Sequence, residues 1–331
     1  MTPYETILKI NKNKFETKSV AIIGAGWMGE QYAIALQAMK IKDVSVISNN
    51  KAKTLKFCKK FNFKPYHGGF EKNLPKLKKM DLVIITPPIE ISIKAVKKAI
   101  ETGQDNILVE KPAALFYKEI ESLKEKIKKE KIRIAYNRLT YPNLIKLKEL
   151  IKKDGGITSC HFTITERIRD LVFPKKGCLD IHKRLGLYNS IHVTSMVIDL
   201  IGEPKKMSAN QFGKLSWHPS GAIFVGSGIT KKNIPFSYIG DWLSSGRWGI
   251  EIMTKKNAYR LISLEELFVS KIHHDVWKKV TFSKAFPNVK QGIAEEIAIM
   301  LNPELEKKIP LVNLEKNRKI FRFTEKIFGY T

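Results

Sequence analysis

The sequence predicts two unlike folds in tandem. An α/β domain over residues 1–137 carries a doubly wound parallel sheet, and an α+β domain over residues 138–331 carries a mainly antiparallel, open-faced sheet with helices on one side. Three observations point this way. Short β-branched runs alternate with amphipathic stretches as far as Asn137, at the spacing of strand–helix–strand units. A glycine triplet, "GAGWMG", joins the first of those runs to the first helix. Beyond Arg138 the apolar runs follow one another across short turns, as antiparallel neighbours do.

The first strand is "SVAII", Ser19 to Ile23, and it leads straight into Gly24-Ala25-Gly26-Trp27-Met28-Gly29. A helix follows, with Tyr32, Leu36 and Met39 on one face. A GxGxxG between strand and helix is the dinucleotide fingerprint of a Rossmann domain. Gly24 permits the tight turn, Gly26 lets the backbone approach a pyrophosphate, and Gly29 lets helix and strand pack closely. The amides and dipole at the helix start favour the anion. The bland alternative is a glycine-rich turn without a ligand. "DVSVISNN" is then a second strand, "KAKTLKFCKKF" a helix and "DLVIITPP" a third, buried strand. "IEISIKAVKKAIETG" is a helix capped by Gly103, "NILVEKP" a strand, "YKEIESLKEKIKKEK" a helix and "IRIAYN" the last strand of this domain.

The end of the second strand bears on the cofactor. NAD-binding folds usually place a carboxylate there for the ribose 2′-hydroxyl. Here Ser48-Asn49-Asn50-Lys51 stand instead, and neutral hydrogen-bonding groups beside a lysine suit a 2′-phosphate. NADP is therefore the expected cofactor, with NAD as the alternative. Ligands of open parallel sheets sit beyond the carboxyl ends of the strands. Thr86-Pro87 and Glu110-Lys111 end neighbouring strands and are expected to border that cleft. Pro112 disfavours a helical conformation at Lys111, which leaves the ammonium free to be aimed into the cleft.

In the second half the expected strands are "ITSCHFTITER", "KKMSANQFGKL", "AIFVGSGIT", "IPFSYIGDW", "WGIEIMTK" and "AYRLISL". The expected helices are "PNLIKLKELIKK", "LGLYNSIHVTSMVIDLIG" and "KQGIAEEIAIML". On the second of these, Tyr188 and His192 are four apart and so share one face.

Composition excludes other classes. The net charge of +27 would suit a nucleic-acid binder, but lysine far outnumbers arginine and is spread along the chain, as in "LKEKIKKEKIR". There is no helix-turn-helix, zinc-finger or RNA-stacking signature, so neither nucleic acid nor membrane is an expected partner. The apolar runs are too short to span a bilayer, and residues 1–18 lack the pattern of a secretory signal. Cys58, Cys160 and Cys178 have no CxxC spacing, which suits a reducing cytoplasm. His182, His273 and His274 have no metal-ligand spacing with acids, and no metal is expected.

The pieces "GAGWMG", "DLVIITPP", "ETGQDNILVEKP", "AYNRLTYPNL", "KKDGGITSCHF" and "NSIHVTSMVIDLIGEP" resemble, in order, those of the glucose–fructose oxidoreductase/inositol dehydrogenase (Gfo/Idh/MocA) family. The resemblance covers most of residues 19 to 210. It implies an NAD(P)-dependent oxidoreductase interconverting a ring hydroxyl and a ketone on a sugar, specifically a nucleotide-linked sugar of surface-polysaccharide synthesis. It further implies a homodimer or homotetramer formed through the second sheet. Lys111 would point at the nicotinamide and the reacting carbinol, where a cation stabilises developing alkoxide charge. Glu110 either shares that role or only fixes the loop. Arg138, Tyr141, Lys183, Arg184 and Asn189 are the expected substrate contacts.

Two positions depart from the family. Ile91 stands about where a histidine often follows the Thr-Pro, and Tyr188 stands where an aspartate usually precedes His192 by one turn. Tyrosine can serve in proton transfer: its pKa of about 10 falls beside an ammonium such as Lys111. Tyr188 and His192 both remain candidates for the acid/base. The rival readings are a catalytically silent NAD(P)-binding regulator and a family member acting on a linear tetrapyrrole.

Overall fold

The computed structural model describes every residue except 11, 124–130, 169–178, 275 and 331. Cys178 and residues 124–130 of the helix expected from Tyr117 onward lie outside the described residues; Tyr117–Glu121 is helical. The chain forms two compact units, Met1–Thr140 with Lys284–Asn317, and Tyr141–Ser283 with Arg318–Thr331.

The first unit is built on six parallel strands: β1 (Ser19–Ile23), β2 (Asp43–Ser48), β3 (Lys64–His67), β4 (Leu82–Ile85), β5 (Asn106–Glu110) and β6 (Lys131–Ala135). Their order is β3-β2-β1-β4-β5-β6. Every residue of β1 and β4 is buried, because helices cover both faces of such a sheet. Each fully buried Val, Leu or Ile side chain contributes about 1.5–3 kcal/mol. The direction of strand order reverses between β1 and β4, which opens a crevice at their carboxyl ends.

Two features of this unit differ from the sequence expectation. β3 is an additional edge strand, parallel to β2. Residues 284–317, placed by the expected boundary in the second half, belong to the first unit. There the helix Ile293–Leu301 packs on the glycine-turn helix Trp27–Ala38.

The second unit holds eight strands: β7 (Ser159–Ile164), β8 (Pro204–Phe212), β9 (Ile223–Thr230), β10 (Pro235–Asp241), β11 (Trp248–Met253), β12 (Asn257–Ile262), β13 (Glu266–Lys271) and β14 (Lys278–Lys279). Their order is β14-β13-β12-β11-β7-β10-β9-β8, and only the β7–β10 pair is parallel. Burial alternates along β7, β10 and β11, so one face packs and the other is open. On the packed face Phe162 contacts Phe236, Tyr238 and Phe323. β13, β14 and the helix Leu314–Phe328 are additions to the expected elements. Among the described residues no helix is long and apolar enough to cross a membrane.

Candidate active site

In the first unit, the three glycines after β1 have three different surroundings. Gly24 has φ +115°, and a Cβ there would lie 2.7 Å from the Thr86 carbonyl oxygen. A Cβ on Gly29 would lie 2.1 Å from the Gly24 carbonyl oxygen. Gly26 is exposed and extended, and a Cβ there would meet nothing within 4 Å. The first and third glycines thus serve the fold, while the second leaves an open cradle at the start of the helix Trp27–Ala38. That cradle, with the helix amides behind it, fits a dinucleotide pyrophosphate.

Thr86 is committed to the same turn: its Oγ1 donates to the Ile23 carbonyl at 3.1 Å and lies 3.3 Å from that of Gly24. Pro87 follows it, half-buried. Trp27 is 62 % exposed, Met28 is half-buried, and the Lys290 ammonium sits 4.2 Å from the centre of the Trp27 ring. At the end of β2, the Asn50 carboxamide caps the following helix by accepting from the Lys53 amide at 2.9 Å. The Ser48 and Asn49 carbonyls accept from the Gly69 and Gly68 amides, and Asn49 and Lys51 are exposed.

Glu110 ends β5, and its carboxylate accepts from the Tyr32 hydroxyl at 2.8 Å. Burial raises the pKa of that carboxyl, opposed by Lys111, Tyr32 and Lys290. Glu296, on the helix Ile293–Leu301, is fully buried, and neither of its oxygens has a hydrogen-bond partner among the described residues. Burial, then Glu110 and Glu295, push its carboxyl well above the ordinary range. The same burial raises Tyr32. A buried tyrosine and two carboxyls therefore stand behind the glycine turn, next in sequence to Lys111. Lys111 itself is half-buried and joined to Pro112 by a cis peptide bond. Arg138 lies in the short turn Asn137–Thr140 and is half-buried.

In the second unit, the expected continuous helix is interrupted. Gly186–Ser190 is a π-helical turn, and the regular helix begins at Ile191. Tyr188 lies in the π-helical turn and is 38 % exposed, whereas His192 lies in the first turn of the regular helix and is only 7 % exposed. The local cause is packing at Gly186. A Cβ there would lie 2.3 Å from the Phe328 ring, and its N–H donates to the Tyr330 hydroxyl at 2.9 Å. Arg184 is buried, pairs with Glu325 at 3.0 Å and lies over the Tyr330 ring. Tyr141 is buried at the start of the helix Pro142–Lys153, and Lys183 is exposed.

Asn189 donates from Nδ2 to Glu166 Oε2 at 2.9 Å, and Ser190 Oγ donates to Glu166 Oε1 at 2.5 Å. Trp248 lies beside His192, ring centres 5.9 Å apart. Among the described residues no group of three or more His, Cys, Asp or Glu is placed to hold a metal ion.

Tyr32, Glu166, Lys290 and Glu296 were not among the expected site residues. For Glu296 a signal exists, since "IAEEIAIML" sets two acids in an apolar helix. For Glu166, in "TITER", there is none beyond a charge at a strand end.

Residues 18–138 match the Gfo/Idh/MocA model, described as an oxidoreductase family with an NAD-binding Rossmann fold. No curated protein matches the chain by sequence. Among solved structures, a UDP-N-acetylglucosamine 3-dehydrogenase from Acidithiobacillus ferrooxidans is similar at 15 % identity and TM-score 0.73, over 95 % of this chain and 97 % of that one. A levoglucosan dehydrogenase in complex with NADH and L-sorbose is similar at 16 % identity and TM-score 0.76, over 95 % and 96 %. An NAD-binding oxidoreductase from Klebsiella pneumoniae is similar at 15 % identity and TM-score 0.75, over the same shares. At such identities the likeness is one of fold.

Proposed function

From the match of residues 18–138 to the Gfo/Idh/MocA model, we propose that the chain is an oxidoreductase of that family that interconverts a ring CH–OH and a ketone on a sugar, specifically a nucleotide-linked sugar. The observation that carries this reading is the first sheet itself. β1 runs into an open glycine cradle, and β5 of the same parallel sheet ends in Glu110-Lys111. The similar fold of a UDP-N-acetylglucosamine 3-dehydrogenase supports the substrate class.

The bound nicotinamide supplies the hydride acceptor or donor. The helix start at Gly26 holds its pyrophosphate. Lys111 places an ammonium where alkoxide charge develops on the substrate oxygen, and Glu110, held by Tyr32, fixes the strand end that carries it. Tyr188 or His192 moves the proton of that oxygen. Ser48, Asn49 and Lys51 favour a 2′-phosphate, since the carboxylate that would hold a free ribose is missing from the end of β2. A second copy of the chain would cover the open face of the second sheet, where Ile239 and Ile262 are 42 % and 46 % exposed.

The test is calorimetric titration with NADPH and NADH, followed by UDP-, GDP- and dTDP-sugars with reduced nicotinamide monitored by absorbance. Tyr188→Phe and His192→Gln then assign the proton carrier: its loss removes the corresponding limb of the pH profile. A protein that binds neither nucleotide sinks the reading, and one that binds but oxidises or reduces no sugar sinks the substrate class.

A further inference from the structure

The turn that carries Tyr188 and Asn189 has no carboxylate of its own between Gly186 and His192. Glu166 brings one from elsewhere in the same unit. It lies two residues past the end of β7 and is 1 % exposed. Each of its oxygens is engaged by a residue of the π-helical turn, Oε2 by Asn189 Nδ2 at 2.9 Å and Oε1 by Ser190 Oγ at 2.5 Å. The Trp248 side chain also faces the carboxylate, and its ring stands 5.9 Å from that of His192. One buried carboxylate is thus tied to the residue after Tyr188 and to the residue two before His192, and it faces the ring beside His192.

We infer that Glu166 is a positioning residue for the reaction, holding the Tyr188–His192 segment in its working conformation through Asn189 and Ser190. The inference rests on the proposed function. The donor pattern gives the physical reason. An ionised carboxylate only accepts, so it fixes the Asn189 amide with Nδ2 inward and leaves Oδ1 as the outward acceptor for a substrate hydroxyl. A charged acceptor also makes these bonds stronger than neutral ones. π-Helical turns interrupt the regular backbone ladder, so this one gains from side-chain anchors.

The hold is sensitive to protonation. Burial pushes the Glu166 carboxyl up to about 7, with Ser190, Asn189, Arg247 and Trp248 opposing. The groups facing it are Trp248 at the start of β11 and Arg247 just before it, Asn189 and Ser190 from the turn, and the Tyr330 hydroxyl, beyond which Arg184 stacks. A protonated Glu166 loses acceptor capacity and the segment loosens.

The test uses the full chain with Glu166→Gln, Glu166→Asp and Ser190→Ala. Glu166→Gln is expected to lower kcat by about tenfold or more while NAD(P)H affinity stays within about twofold, and to abolish the acid limb of the wild-type pH profile. Glu166→Asp, which keeps the charge, retains that limb. Ser190→Ala removes one donor to the carboxylate and moves the limb upward by about one pH unit. Unchanged kcat and pH profile in Glu166→Gln overturns the inference; should that variant not fold, an unmoved limb in Ser190→Ala overturns it equally. If the wild type binds nucleotide but turns over no sugar, the substrate reading fails separately. Infrared difference spectra then decide the present point: a protonated-carboxyl band titrating near neutrality and shifted by Ser190→Ala supports it, and a band constant from pH 5 to 9 overturns it.

Discussion

Gly26→Ala separates cofactor binding from folding, because the three glycines of the turn differ in what a methyl group would meet. At Gly29 a Cβ would stand 2.1 Å from the Gly24 carbonyl oxygen, so helix and strand must separate. Overpacking of that kind costs about 1–3 kcal/mol or more. At Gly26 the backbone has φ −91° and ψ −171°, open to any residue, and no atom lies within 4 Å of the added carbon. The cost to folding is that of a poorer helix cap, roughly 0.5–1 kcal/mol. The bound pyrophosphate would meet the methyl group directly and lose at least one charge-assisted hydrogen bond, about 1.5–3 kcal/mol. That corresponds to a roughly 10- to 150-fold weaker Kd for NADH and NADPH. Thermal melts and calorimetric titrations of wild type, Gly26→Ala and Gly29→Ala read both quantities. Nucleotide binding by Gly26→Ala as tight as wild type, or unfolding as severe as in Gly29→Ala, would refute the cradle.

Lys111→Met is expected to lower kcat by about 100-fold or more with nucleotide affinity largely kept, since an oxyanion stabiliser acts in the transition state; steady-state kinetics check this, and an unchanged kcat rejects the role. Glu296→Met removes a buried carboxyl whose oxygens have no hydrogen-bond partner among the described residues, so stability in urea should rise by about 1–3 kcal/mol. The carboxyls of Glu166 and Glu295 are raised from 4.5 to about 7, so the folded chain binds protons that the unfolded chain has released between those values. Their contribution is full below the unfolded pKa and is lost as pH rises through about 7, by roughly 3 kcal/mol for each group. Urea stabilities at pH 5.5 and 8 should differ by about 2 kcal/mol of that loss for each group, and Glu295→Gln should reduce the difference.

How much of this was legible in the sequence follows from how local each signal is. The glycine turn and the β1, β4 and β5 strands were readable because their residues alone dictate turn chemistry and two-sided burial. β3, "KPYH", was not: it is mostly exposed, contains a proline and exists because β2 offers a parallel edge. The β12–β13 hairpin was hidden for a different reason. Its turn residues Ser263 and Leu264 take φ +50° and +68°, conformations that usually advertise themselves with glycine or asparagine. The helix Ile293–Leu301 was recognised, but apolar periodicity says that a helix is buried and not which sheet it covers. In the candidate site, the cofactor turn and Lys111 were marked by motif and strand end. The spacing of Tyr188 and His192 presumed an α-helix, and the π-helical turn follows from distant packing by Phe328 and Tyr330. Glu166 reaches its partners across the fold, and nothing near it in the chain announces them.

The return of residues 284–317 to the first unit bears on how the chain is made. A nascent polypeptide that has emerged only to Thr140 holds all six strands of the parallel sheet but lacks the helix that lies on Trp27–Ala38. It also lacks Asn317, which accepts from the Tyr136 hydroxyl at 2.8 Å. During synthesis the first unit must wait, with that face bare, while the whole second sheet is translated, and only then does the segment that completes it emerge.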